Sequence, residues 1–177
     1  SVVIIRISYN QICLWYSVDM TKAITPQRLR RFNIIAGFLH LTQGLAVLAL
    51  SKEFLLPVSG SYLSFNPATQ SLEPATKVLF DLSLPLLIAV FLFICAAAHF
   101  SVATIFNKQY NAHLAKGINI ARWVEYSFSA SIMIVAIALL VGIYDLMSLL
   151  MLFGLVAIMN LLGWVMEVHN QTTKKTS

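Results

Sequence analysis

Four long apolar runs, Phe32–Leu50, Val78–Phe106, Asn119–Ile143 and Leu146–Met166, alternate with polar or turn-rich stretches. Each approaches or exceeds the roughly 20 residues that cross a hydrocarbon core of about 30 Å. Backbone groups in lipid must be hydrogen-bonded within their own segment, so all four runs are predicted to be helices. The second is longer than a span needs, which predicts a tilt, a kink near Pro85 or an extension beyond the bilayer, with Asp81 near its outer end. Between the first two runs, Ser51 to Lys77 carries Pro57, Gly60, Asn66, Pro67 and Pro74, with a short alternating piece at Ser61 to Phe65. That pattern predicts a small hairpin or strand outside the membrane. The third and fourth runs meet at Tyr144-Asp145, so those helices are expected to be antiparallel neighbours.

Composition agrees with this reading: 59% of the 177 residues are hydrophobic, 11% are charged and mean hydropathy is +0.80, too apolar for a soluble core of this size. The net charge of +5 comes from basic residues that flank the apolar runs and form no long block, which argues for membrane orientation and against nucleic acid. With the chain's start inside, ten basic residues (Arg6, Lys22, Arg28, Arg30, Arg31, Lys108, Lys116, Arg122, Lys174 and Lys175) face Lys52 and Lys77 outside. The bias predicts an integral plasma-membrane protein with a cytoplasmic N-terminus. The expected organisation is a cytoplasmic segment at 1–31, a four-helix domain at 32–166 with an extracellular connection near 51–77, and a polar cytoplasmic tail at 167–177. Residues 1–19 do not read as a signal peptide, whereas Met20 opens an ordinary membrane-protein start. They are read as upstream sequence translated in error, without function. Cys13 and Cys95 form no disulfide framework and no metal spacing.

Glu125 lies deeper within a predicted span than any other acid, and an ionised carboxylate there costs several kcal/mol unless donors or a cation meet it. His40, His99 and Glu125 each fall on the order of 10 Å below the inner boundary, so they can meet in one layer. Thr42, Gln43, Ser101, Tyr126, Ser127, Ser129 and Ser131 add donors and acceptors to line a small wet cavity. Either histidine alone reads more readily as a helix-bridging donor, and Ser131, Met133, Met159 and Trp164 as packing. Two imidazoles at the depth of a carboxylate shift the balance towards function.

The stretch from Phe32 to Gln43 with its AGFxHLxQ pattern, Ala98-His99-Phe100, RWVEYSFSASIMI from Arg122 to Ile134, Phe153-Gly154 and Gly163-Trp164 together resemble the first four helices of a heliorhodopsin, from about Met20 to Glu167. Heliorhodopsins are seven-helix retinal photoreceptors with a cytoplasmic N-terminus. The resemblance implies an all-α membrane protein whose four transmembrane helices are the N-terminal part of a seven-helix rhodopsin-like bundle. It implies that Glu125 is the counterion of the protonated retinal Schiff base, and that His40 and His99, with Ser127, belong to a cytoplasmic-side polar cavity that influences the released proton. It places Tyr126, Ser129, Met133 and Met159 near the chromophore. Arg122 and Glu167 are candidates for an ion pair at the inner mouth. The resemblance further implies retinal isomerisation, a homodimer and a signalling partner of unknown identity.

Retinal attachment needs a primary amine from the seventh helix, yet Lys22, Lys52, Lys77, Lys108, Lys116, Lys174 and Lys175 all lie outside the span interiors. Covalent attachment to this polypeptide alone is not expected. Three accounts of the short chain stand open, an incomplete reading, half of a split protein or a naturally short one, of which the first is favoured. The alternative function is a four-span transporter or channel subunit with a His/Glu relay, weakened by the apolar outer halves of spans three and four, Ile134 to Val141 and Leu149 to Ile158. Catalysis is not expected, since HExxH, CxxC and GxSxG spacings are missing.

Overall fold

The computed structural model describes residues 25–173, with side chains up to residue 170. The readings of residues 1–19 and Met20, and the charges of Arg6, Lys22, Lys174 and Lys175, lie outside the described residues. The elements are α1 (Pro26–Leu50), β1 (Leu55–Asn66), β2 (Ser71–Ser83), α2 (Leu84–Ala103), α3 (Asn107–Ala115), α4 (Ile120–Leu140) and α5 (Leu146–Thr173). The helices α1, α2, α4 and α5 are long and apolar enough to cross a membrane. They pack in a row, α1 on α2, α2 on α4 and α4 on α5.

Side-chain caps start the membrane-length helices α1, α2 and α4. Thr25 accepts from the backbone N–H of Arg28 at 3.3 Å with Pro26 in the first turn, and Asn119 accepts from that of Arg122 at 3.1 Å. Each bond occupies one of the donors a helix start leaves open. Ser83 caps α2, and Pro85 sits in its first turn, where a missing N–H costs nothing. Pro85 therefore begins this helix and does not kink it. Gly142, at φ +92°, takes the left-handed backbone that ends α4 and turns the chain into α5.

The second apolar run is corrected at both ends. Val78 to Ser83 belongs to β2, so Asp81 lies in a strand opposite Pro57. A short apolar run has no periodicity that separates strand from helix, and the surplus length was strand. At the other end α2 stops at Ala103, and α3, absent from the sequence reading, follows. The hairpin is longer than its alternating piece suggested, with strands of 12 and 13 residues paired antiparallel from Leu55↔Ser83 to Asn66↔Ser71. Two further boundaries move: α1 opens at Pro26, ahead of Phe32, and α5 carries the expected tail on as helix to Thr173.

The hairpin is anchored to the α4–α5 turn. Ser59 N–H donates to the Tyr144 carbonyl at 2.8 Å, and Ser61 Oγ donates to Asp145 Oδ1 at 3.1 Å. Beneath these bonds Leu56, Val58, Leu84, Ala136, Ala138, Leu139 and Leu149 form one buried apolar cluster. This end of the row is apolar, and a cavity of about 260 Å³ there is lined almost wholly by apolar side chains. The polar residues gather at the opposite end, beside α3.

Candidate functional site

Glu125 lies in the second turn of α4, half-buried, on the side that packs against α2. The Cys95 thiol of α2 donates to its Oε1 at 3.0 Å. One turn beyond Cys95 on the same face, His99 places Nδ1 2.9 Å from Asn33 Oδ1 of α1. The His99 ring stacks on that of His40, with centroids 5.5 Å apart and planes 13° from parallel. Two imidazolium charges at that separation would repel by about 3 kcal/mol at an effective dielectric near 20. Asn33 and Cys95 are buried, and His40 and His99 are part-exposed.

Helix contact at this layer depends on small residues. A Cβ on Gly37 would stand 2.8 Å from the Phe100 ring, and one on Gly44 would stand 2.5 Å from Phe93. These notches let α1 approach α2 closely enough for Asn33 and His40 to reach His99.

Two cavities meet at Glu125. One of about 240 Å³ is lined by Asn33, His99, Arg122, Glu125, Tyr126 and Asn119, together with apolar side chains. The other, about 490 Å³ and mostly apolar, lies between α2, α3 and α4, with Phe128 and Val124 on one wall and Tyr110 and His113 of α3 on another. The carboxyl group thus lies between helices, with a cavity that carries several polar side chains on one side and a more apolar one on the other.

The remaining residues singled out in the sequence are not all brought together. Ser127 is about 200° around α4 from Glu125 at 100° per residue, and its hydroxyl bonds to the Val124 carbonyl at 2.8 Å. It is a packing residue of the far face and lines neither cavity. Ser129, one turn after Glu125 on the same side, is 2% exposed. Tyr126 edges the smaller cavity, whereas Met133 and Met159 are 44% and 61% exposed and line neither. Arg122 Nη2 lies 3.4 Å from Glu167 Oε1, and its guanidinium stacks over Trp123 at 4.3 Å. Glu167 does more than pair with it: its Oε2 accepts from Trp123 Nε1 at 2.6 Å and from the backbone N–H of Asn119 at 2.9 Å.

Sequence reasoning missed Asn33, Cys95, Asn119 and Trp123. For two of them the spacing held a signal: Cys95 precedes His99 by one helical turn, and Asn33 precedes His40 by two, so each shares its histidine's face.

Four membrane-length helices, with a carboxyl, a thiol and two imidazoles gathered between α1, α2 and α4, define an integral membrane protein with an ionisable site between its helices. A family model described as Heliorhodopsin matches residues 29–177, and the chain belongs to the heliorhodopsin family, whose members are rhodopsin-like light receptors and not classical enzymes. A comparison with curated proteins finds no match.

The family implies retinal binding. The described residues fit one side of that requirement: Glu125 offers a hydrogen-bonded carboxylate beside an apolar chamber. They do not fit the other. Lys52 and Lys77 lie at or in the hairpin region, and Lys108 and Lys116 lie in or just after α3, so among the described residues no amine projects from a membrane-length helix. Retinal attachment cannot be derived from the residues present.

Proposed function

We propose that this chain is the counterion-bearing part of a retinal-binding light receptor, with the attachment amine supplied from outside these 177 residues. The observation that carries the reading is the setting of Glu125. Its carboxyl group accepts from Cys95 and shares a cavity with His99 and Asn33, so it sits between helices with a donor and polar neighbours. Glu125 serves as the counterion, and His40 and His99 serve as the groups that take up a displaced proton. Tyr126 and Ser129 are the nearest candidates for chromophore contact. Met133 and Met159 qualify only if further helices cover their exposed faces.

The same reading places the protein in the plasma membrane with its N-terminus in the cytoplasm, as a homodimer that signals to a partner. The skewed placement of basic residues supports that orientation: Arg28, Arg30, Arg31, Lys108, Lys116 and Arg122 cluster at the α3 end. The transporter alternative is disfavoured by the buried apolar cluster at the hairpin end, which among the described residues offers ions no polar lining beyond the Glu125 layer.

The test is spectroscopic. The protein is expressed from its complete gene with retinal supplied, and visible absorption is compared with that of Glu125→Gln. Removing the charge is expected to move the band to longer wavelength and to make the imine lose its proton at lower pH. An unchanged spectrum and titration in a folded Glu125→Gln protein would remove Glu125 from this role.

A further inference from the structure

Asn33 is 5% exposed, and its carboxamide is committed to one ring atom, His99 Nδ1, at 2.9 Å. An amide oxygen only accepts, so this contact requires a proton on Nδ1. A neutral imidazole carries a single N–H, and Nε2 is then left with the lone pair. Its Nδ2 is buried without a partner among the described residues.

We infer that Asn33 is a positioning residue: it holds neutral His99 as the Nδ1–H tautomer and makes Nε2 the proton-accepting atom of the chamber shared with Glu125. With Asn33 oriented this way, uptake of a proton at Nε2 leaves the Nδ1–H bond to Oδ1 intact, so no side chain has to turn. In the opposite tautomer the amide would have to flip and donate through Nδ2. Nε2 would then already carry its proton and have nothing to accept with.

The groups around the ring suit the first arrangement. His40 of α1 stacks on it, Cys95 lies one turn away on α2, and Glu125 of α4 lines the same cavity, with Arg122 at its edge. Glu125 is the acid among them, and His40 and Arg122 are the other ionisable groups nearby. That the accepted proton is one displaced by light rests on the receptor reading above. The tautomer does not rest on it.

The experiment is nitrogen-15 solid-state NMR of the full chain in lipid bilayers at neutral pH, labelled at histidine and without chromophore. The His99 signals are identified by their loss in His99→Gln. The expected result is a protonated Nδ1 and a bare Nε2. In Asn33→Ala the ratio of the two tautomers inverts towards Nε2–H, which isolated imidazole side chains prefer, and Asn33→Gln, which retains an acceptor, restores Nδ1–H. A wild-type His99 carrying its proton on Nε2, or a tautomer unchanged in Asn33→Ala, overturns the inference. If Asn33→Ala does not insert, the wild-type signal decides alone. Loss of the receptor reading, seen as no retinal band in the complete protein, would leave these signals as they are, so the two failures are distinguishable.

Discussion

Removal of the Glu167 side chain tests how the α4 and α5 ends at the cavity mouth are tied together. Its carboxylate accepts from Trp123 Nε1 at 2.6 Å and from Asn119 N–H at 2.9 Å, and pairs with Arg122 at 3.4 Å. Hydrogen bonds to a charged group contribute about 1.5–3 kcal/mol each. The Arg122 side chain is 42% exposed and its contact is long, so that pair contributes on the order of 0–1 kcal/mol after solvent screening. The Glu167 side chain is itself 20% exposed, which places both bonds at the low end of their range. Glu167→Ala is therefore expected to destabilise the fold by about 3 kcal/mol, roughly a hundredfold in the unfolding constant. Glu167→Gln keeps one uncharged acceptor and should lose about half as much. The measurement is unfolding of the purified protein in mixed detergent micelles by circular dichroism, with amide exchange at Asn119 as a local probe. A Glu167→Ala protein within about 0.5 kcal/mol of wild type, with Asn119 still protected, would refute the reasoning.

Two glycines of α5 should respond in opposite directions. A Cβ on Gly163 would clash with the Trp123 ring, and that indole is held by Glu167, so Gly163→Ala should cost about 1–3 kcal/mol in the same unfolding assay. Nothing lies within 4 Å of a Cβ on Gly154, and Gly154→Ala should be neutral or stabilise by up to about 1 kcal/mol through helix propensity. At the other end, hydrogen bonds from Ser148 and then Ser61 hold the Asp145 carboxyl below its ordinary 3.8. A depressed folded value means that this stabilisation is present above about pH 3.8 and is lost as pH falls through the lower folded value. Thermal unfolding followed from about pH 5 to 2 should lose part of its slope in Asp145→Asn; an identical slope would deny the carboxylate that role.

The spans were legible because lipid leaves so few solutions: a long apolar run has to be a helix. The strand end of the second run, Val78 to Ser83, was not, since six residues of mixed pattern adjoining a helix carry no decisive period. The nine-residue α3 is polar and short, and such a segment has no apolar stripe to announce it. At the site, depth along each helix could be read by counting, and it is depth that brings His40, His99 and Glu125 to one region. Direction around the helix is harder to read across a serine-rich stretch. Ser127 was grouped with Glu125 by proximity in sequence, although two residues separate them by more than half a turn. Cys95 was weighed only as a disulfide or metal ligand. Its bond to Glu125 depends on the facing of two helices from different parts of the chain, which no local pattern encodes.

The hairpin's grip on the Tyr144–Asp145 corner has a mechanical meaning. It staples the row of helices at one mouth, while the other mouth is hollow around Glu125 and bordered by the slender α3. At the hollow end the ties are single side chains, Glu167 between α4 and α5 and Arg30 on the Ala103 carbonyl, so a change of charge at residue 125 acts where individual bonds and not a paired sheet resist it.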